Sequence, residues 1–474
     1  MPPDQLSAVA NAVLEPRAET APALELAQAH CRVLWTPYYQ MSTVLEQGPV
    51  VFERGEGVYL YDTGGRRYLD GHASLWLMNV GMGRQEITDA VTEQMRRMPY
   101  FSMFQGFSNP PAIELAQLLV ELTRPEGMGK VFYSDSGSEA VETALKIARQ
   151  YWRNRGYVGK YKFISRRSAY HGVTFGALSA TGITANRRMF EPLVPGFRHV
   201  ADPNCYRNEF GDGLSEAEVA VAASEALRRA IEQEGPETVA AFIAEPVQGA
   251  GGVIVPPEGY LRRCREICTA YDVLFIADEV ITGFGRTGSW FGCRTYGVRP
   301  DMMCFAKGLT SGYIPMGATL CTDRIYEAFL GTPGDGKELR HGNTYSGHAT
   351  AAAAAIANLA IVQREDLAEN ARRVGAHLLG RLRRLERHAI VGDVRGVGLL
   401  ARVELVRERE GKLPFAPPGA VGGRVQRRMQ ELGVVIRNVG DVLTFSPALI
   451  LTEAQADEMA DIADQAIRDV ANGL

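Results

Sequence analysis

VLFIADEVITGFGRTG, residues 273–288, opens with five apolar residues and turns acidic at Asp278 and Glu279. An unbroken apolar run of this kind suits a strand covered on both faces of a sheet. A carboxylate at the end of such a strand is costly unless a cation or strong donors meet it. One reading pairs Asp278 with an arginine such as Arg286. The other keeps it for a buried heteroaromatic cation. The tail from Gly283 to Gly288 matches GxGxxG, but an acidic pair intervenes after the strand and SWFG follows where a helix should open. It therefore does not read as a dinucleotide fingerprint.

The same rhythm recurs on either side. KVFYS (130–134), KFIS (162–165), VAAFIA (239–244) and MMCFA (302–306) are further apolar runs, with helical text between several of them. Alternating strand and helix predicts an α/β fold with a mainly parallel sheet. Polar residues follow the runs directly: Asp135 to Ser138, Glu245, Asp278 and Lys307. In open α/β sheets ligands bind beyond the carboxyl ends of the strands, so these groups are expected to share one crevice.

Three of them carry chemistry. In SDSGSEAVETALKIARQYW (134–152), Gly137 permits a tight turn and a helix opens near Ser138, with Val141, Leu145, Ala148 and Trp152 on one apolar face. Such a helix start is either an ordinary N-cap or an anion site, typically for phosphate. Lys307 ends an apolar run before a loop rich in glycine, serine and proline. It is either a solvated lysine or an amine freed by desolvation for Schiff-base chemistry. A phosphate turn, a strand-end acid and a strand-end amine are together what a pyridoxal phosphate (PLP) site needs. SAYHG (168–172) adds Tyr170, an aromatic that packs or stacks on a flat ring, and HGNTYSGH (341–348) adds Thr344, which caps or binds phosphate.

The ends of the chain read differently. The first thirty or so residues suggest a loose tail or short helix, and residues 50–70 suggest short antiparallel strands broken by glycines. Residues 351–386 are long helical text, 392–404, 434–437 and 442–445 read as strands, and Thr452-x-x-Gln455 signals the cap of a final helix. The expected division is an N-terminal segment, 1–75, joining a C-terminal small α+β domain, 341–474, around a large domain, 76–340.

Composition narrows the function. A net charge of −4 over 474 residues removes the electrostatic footprint of a nucleic-acid binder or of a protein seated on a membrane surface. Seven scattered cysteines read as free thiols in a reducing compartment. The eight histidines show no HExxH or paired ligand spacing, so no metal site is expected. The N-terminus does not read as a secretory signal, and no stretch reaches about 18 apolar residues. The expectation is a soluble, cytoplasmic, multi-domain protein.

SGSEA (136–140), AYHG (169–172), AEPVQG (244–249), ADEVITGFGRTG (277–288), AKGLTSGYIPMGA (306–318) and TYSGH (344–348), in this order, resemble the class III PLP-dependent aminotransferases. The resemblance runs from about Trp35 to the C-terminus. It implies PLP fold type I, with a mainly parallel seven-stranded sheet in the large PLP-binding domain, a small domain from both chain ends, and a homodimer or larger oligomer with shared active sites. Lys307 matches the Schiff-base lysine and Asp278 the carboxylate that keeps the pyridine nitrogen protonated. Tyr170 matches the ring stacked on the cofactor, Val280 the residue on its other face, and Gly137 and Ser138 the phosphate cradle. Thr344 matches a phosphate ligand donated by the partner subunit. Within the class, LDGHASLWLMNVGMG (69–83) and VVIRNVGDVLTFSPALILT (434–452) are similar to the ω-transaminases. Trp76 then matches a pocket aromatic, and Arg437 a mobile arginine that binds a substrate carboxylate bidentately. Ile281 stands where ornithine- and GABA-type members carry a glutamine, which leaves the partner of the ring hydroxyl unassigned. The implied activity is transfer of an amino group from an ω-amino acid or amine to pyruvate by a ping-pong mechanism. The alternatives are a diamine aminotransferase using 2-oxoglutarate, an aminomutase or a decarboxylase on the same fold, and an NAD-type oxidoreductase resting on GFGRTG.

Overall fold

The structure is a computed structural model that describes residues 21–474. Of the opening segment, Ala21–Val33 is helical, and the expected tail over 1–20 lies outside the described residues. Three short strands follow, β1 (Phe52–Glu56), β2 (Tyr59–Asp62) and β3 (Arg67–Asp70), paired antiparallel in that order.

A seven-stranded sheet forms the centre: β4 (Lys130–Ser134), β5 (Lys162–Arg166), β6 (Phe197–Val200), β7 (Val239–Ala244), β8 (Leu274–Asp278), β9 (Met302–Phe305) and β10 (Gly317–Cys321). Their spatial order is β4-β10-β9-β8-β7-β5-β6. Every residue of β7 and β8 is buried, which is why their text is continuous rather than alternating. The five apolar runs read from sequence are β4, β5, β7, β8 and β9. The other two strands have weaker text. β6 is an edge strand, FRHV, with a polar, half-exposed middle, and β10 is a run of small residues, GATLC, that merges with the loop before it.

β10 runs antiparallel to both β4 and β9, and the remaining pairs are parallel. Two reversals cancel, so β4 points the same way as β5, β7, β8 and β9, and all five carboxyl ends open on one edge. After β4 the helix Gly137–Asn154 begins with Ser136 as cap, its Oγ accepting from the Glu139 N–H. Val141, Leu145, Ala148 and Trp152 are buried on the sheet, as their spacing predicts. The Trp152 indole N–H donates to the Ala240 carbonyl at 2.9 Å, so the largest side chain of that face is both packed and hydrogen-bonded.

The C-terminal strands are β11 (Val391–Val397), β12 (Leu400–Leu405), β13 (Val434–Val435), β14 (Arg437–Val439) and β15 (Val442–Phe445). Four make an antiparallel sheet in the order β11-β12-β15-β14, and β13 pairs in parallel with β3. The helical text of 351–386 is two long helices, Ala349–Arg364 and Leu367–Arg383, parted at Asp366, whose φ of +47° cannot continue a helix. The last helix, Glu453–Ala471, carries the expected reciprocal cap between Thr452 and Gln455. Among the described residues no helix is long and apolar enough to cross a membrane, and no disulfide joins the seven cysteines.

Candidate active site

The five strand ends meet in one cavity of about 840 Å³. Ser136, Gly137 and Ser138 reach it from β4, Tyr170, His171 and Gly172 from β5, and Glu245 from β7. Asp278 and Val280 arrive from β8, and Lys307 from β9.

Asp278 is 4% exposed. Its Oδ2 lies 2.7 Å from Nδ1 of His171, and its Oδ1 accepts from the Val280 N–H at 3.2 Å. Arg286, the other partner considered for Asp278, is turned away. The turn after β8 has positive φ at Phe284 and Gly285, and it directs the arginine toward the C-terminal segments. There the buried guanidinium donates to Asn79 Oδ1 at 2.6 Å and to the carbonyls of Leu399, Ser446 and Pro447. The ion-pair reading of Asp278 with Arg286 is thereby excluded. Histidine does what arginine does not, and sequence reasoning passed over it: His171 follows Tyr170 in SAYHG without any spacing signal. Its Nε2 is buried with no partner among the described residues.

Glu245 is buried beside them. Its Oε1 accepts from the Tyr170 N–H at 3.0 Å and its Oε2 from the Gly249 N–H at 2.9 Å. Burial pushes its carboxyl above the ordinary range. Glu245 therefore fixes the loop that presents Tyr170, and burial also pushes the Tyr170 phenol up, so its hydroxyl stays protonated. Lys307 stands at φ +46° at the head of a single turn, Lys307–Leu309. Burial brings its ammonium down from 10.5 to about 8, against the pull of Asp278 and Glu245 and with a push from Arg437 and Arg286. An amine of that basicity exchanges a proton near neutral pH.

The start of the helix Gly137–Asn154 leaves the N–H groups of Gly137 and Ser138 for a ligand. Space there is kept by missing side chains. A Cβ on Gly137 would come within 3.0 Å of Val280 Cγ1, and one on Gly172, at φ +127°, within 2.5 Å of Ser138 Oγ. Ser138 Oγ is held by the Val173 N–H at 3.0 Å. These residues fit pyridoxal phosphate: helix-start donors for its phosphate, an acid for its ring nitrogen and an amine for its aldehyde.

A separate segment forms the wall opposite. Ala73, Ser74 and Trp76 all have left-handed φ, +45°, +60° and +59°. Asp70 at the end of β3 holds this turn, accepting from the N–H groups of His72 at 3.0 Å and Ser74 at 2.6 Å, and from Ser74 Oγ at 3.4 Å. Trp76 is thereby pressed into the cavity wall, 2% exposed, with the His72 ring edge-on at 4.3 Å. Burial and the nearby cations hold His72 neutral, its value lowered to about 3. Lys307 Nζ is 5.3 Å and Arg437 Cζ 5.0 Å from the centre of the Trp76 ring. Arg437, at the start of β14, is half-buried and lines the cavity.

The structure thus brings Lys307, Asp278, Gly137, Ser138, Tyr170, Val280, Trp76 and Arg437 to one cavity. Thr344 is not among them. It is exposed on the surface, with its carbonyl accepting from the Tyr100 hydroxyl. His171, Glu245, Asp70 and Tyr38, which also lines the mouth, were not among the residues assigned a role from sequence.

Comparison with known proteins gives consistent results. Residues 41–467 match the family model for aminotransferase class-III. A putrescine–pyruvate aminotransferase of Pseudomonas aeruginosa is 43% identical over 447 residues, 94% of this chain and 96% of the relative. The crystal structure of a thermostable (S)-enantioselective omega-transaminase from Thermomicrobium roseum superposes with a TM-score of 0.91 at 43% identity, covering 95% of this chain and 99% of that one. An omega transaminase from Pseudomonas jessenii in complex with PMP gives a TM-score of 0.92 at 40% identity, over 94% and 98%.

Proposed function

The chain belongs to the class III aminotransferases, and from that premise we propose that it moves an amino group from an amine or ω-amino acid to pyruvate by a ping-pong mechanism. Pyridoxal 5′-phosphate is its cofactor, and when bound it supplies an aldehyde to collect the amino group and a ring to accept electrons from the substrate carbon. Asp278, oriented by His171, would hold a proton on the ring nitrogen. Gly137 and Ser138 would hold the phosphate through their N–H groups and the Ser138 hydroxyl. Tyr170 and Val280 would confine the ring. Lys307 would serve as the base and acid of the site, and an amine near pKa 8 takes up and gives back a proton at Nζ near neutral pH. Trp76 walls the substrate pocket, and Arg437 binds a substrate carboxylate.

The enzyme acts as a cytoplasmic homodimer with shared sites. Free thiols support the compartment. Phe101, Phe104, Phe107 and Tyr345 are exposed, Tyr345 next to Thr344 in the chain and Phe101 next to Tyr100, whose hydroxyl donates to the Thr344 carbonyl; exposed aromatics of this kind support a second subunit, with Thr344 a ligand of the partner's phosphate. The domain division near residues 75 and 340 stands as part of this reading.

The observation that carries it is the convergence of Lys307, the Asp278–His171 pair and the helix start at Gly137 on one cavity. The test is a panel of amine and ω-amino acid donors, each with pyruvate and with 2-oxoglutarate. Alanine should form from pyruvate, with the two half-reactions separable. Absence of amino transfer from every donor rejects the proposal, and glutamate formation without alanine reassigns the acceptor.

A further inference from the structure

The other end of β5 holds a second cavity, of about 320 Å³, walled by Arg149, Arg153, Val158, Lys160, Tyr161 and Pro195. Lys160 and Tyr161 lead into β5, whereas Tyr170 and His171 follow it, so a strand of five residues, about 16 Å, lies between the two cavities. Arg149 and Arg153 stand four residues apart near the end of the helix Gly137–Asn154 and share one of its faces. Arg149 is half-buried. Its Nε donates to the Tyr161 carbonyl at 3.0 Å and a terminal N–H to the Pro195 carbonyl at 3.4 Å, and the Phe163 ring centre is 5.3 Å from its guanidinium carbon. Lys160 is 5% exposed, with Nζ 4.3 Å from the Trp152 ring centre and donating to the carbonyls of Val239 and Asp272 at 3.3 and 2.5 Å. Arg153 is exposed, and its side chain has no hydrogen bond or ion pair among the described residues.

No acid lines this cavity, and none of its three cations has an ion pair among the described residues. Glu142, whose charge reaches Arg149, accepts from the Gly176 N–H at 3.0 Å and is not part of the wall. The helix dipole accounts for Arg153, which stands in the last turn, but its effect fades within that turn. It does not account for Arg149, further inside the helix, or for Lys160 beyond it. Bonds to carbonyls orient Arg149 and Lys160 without cancelling their charge. A recess lined by one sign of charge concentrates ions of the other sign. Val158, Tyr161 and Pro195 add an apolar side, the mixture typical of a site for a small organic ligand.

We propose that this cavity is a second ligand site, which binds a phosphate monoester with its phosphate at Arg149 and Arg153 and its organic part against Val158, Tyr161 and Pro195. The planar fork of arginine matches phosphate oxygens in pairs, and two such forks one helical turn apart suit a dianion better than a single negative charge. Lys160, its Nζ turned to carbonyls, contributes field rather than contact. The volume suits one ligand of about the size of a nucleoside monophosphate, at the small end of the range for such sites. The site takes no part in amino transfer, since its residues are not among those that line the cavity of Lys307.

The test is calorimetric titration of the cofactor-loaded enzyme, in which the helix start at Gly137 is already filled, with AMP, inorganic phosphate and adenosine. AMP should bind, phosphate should bind more weakly, and adenosine should give no measurable heat. Arg153→Glu changes an exposed side chain without partners, so folding is not at issue. It should weaken AMP at least tenfold, the loss expected for a hydrogen bond between charged groups, and leave amino transfer unchanged. Arg149→Gln should weaken AMP as well, but Arg149 also ties Tyr161 and Pro195 to the helix, so Arg153 decides the result. Absence of binding by both AMP and phosphate, or equal AMP affinity in the wild type and Arg153→Glu, overturns the site. Adenosine binding as tightly as AMP overturns the phosphate contact, and phosphate binding as tightly as AMP overturns the apolar side. These titrations read the site whether or not any donor reacts.

Discussion

Replacing Lys307 by methionine should make the cofactor-free protein more stable at neutral pH. The side chain keeps its length and loses its charge. In the folded chain burial lowers the ammonium from 10.5 to about 8. Each pH unit of that difference corresponds to about 1.36 kcal/mol, so the folded state carries a penalty of about 3 kcal/mol whenever the lysine is protonated in both states. The sign follows from proton counting. Between about pH 8 and 10.5 the unfolded chain holds a proton that the folded chain has released, so stability rises with pH through that window. Below pH 8 the penalty is present in full. Lys307→Met should therefore raise the urea midpoint at pH 7 by the equivalent of up to about 3 kcal/mol and flatten the alkaline rise. The measurement is urea denaturation of both cofactor-free proteins at pH 7, 9 and 10.5. A variant no more stable than the parent at pH 7, or one that keeps the full alkaline rise, would refute the account of Lys307 as a destabilised amine.

Two further substitutions separate chemistry from architecture. Asp278→Asn preserves volume and the contact with His171 but removes the charge, and kcat/KM for amino transfer should fall by about a hundred- to a thousandfold with an unchanged denaturation midpoint; activity within tenfold of the parent would remove Asp278 from the mechanism. Asp70→Ala removes the carboxylate that accepts from the His72 and Ser74 N–H groups and should cost about 3–5 kcal/mol in chemical denaturation, since it frees a turn with three left-handed residues; a loss below about 1 kcal/mol would show that the turn is held by other contacts.

The parts of the site that the sequence disclosed are those set by one strand and the residues just after it. Asp278, Lys307 and the Gly137–Ser138 turn each stand at or just past the end of a strand that is legible from a short apolar run, and strand order was not needed to see that their ends converge. β10 escaped notice because a run of small residues leaves no amphipathic signature, yet its reversal is what brings β4 into line with the other strands. His171 was illegible for another reason. Its importance lies in a partner far along the chain, Asp278, and neither local pattern nor composition encodes a distance of that kind. The same holds for Arg286, whose closeness in sequence to Asp278 suggested a pair that the turn after β8 prevents.

Backbone strain accounts for why so much of the site depends on remote text. Tyr38, Ala73, Ser74, Trp76 and Lys307 all sit at positive φ without being glycine. Each such residue costs on the order of 1–3 kcal/mol and persists only where its surroundings outweigh that cost. The supports come from distant segments. Asn358, in the helix Ala349–Arg364, donates to the carbonyls of Gly308 and Leu309 at 2.9 and 3.0 Å, pinning the turn that begins with Lys307. Arg286 ties Asn79, three residues beyond Trp76, to the carbonyls of Ser446 and Pro447. A cavity that must hold a lysine and an arginine on one indole ring, with no acid between them, relaxes if those side chains can move apart. Fixing them through helices and loops from both ends of the chain prevents that movement, and it explains why both the first and the last segments of the sequence are needed around a site whose reactive groups come from the middle.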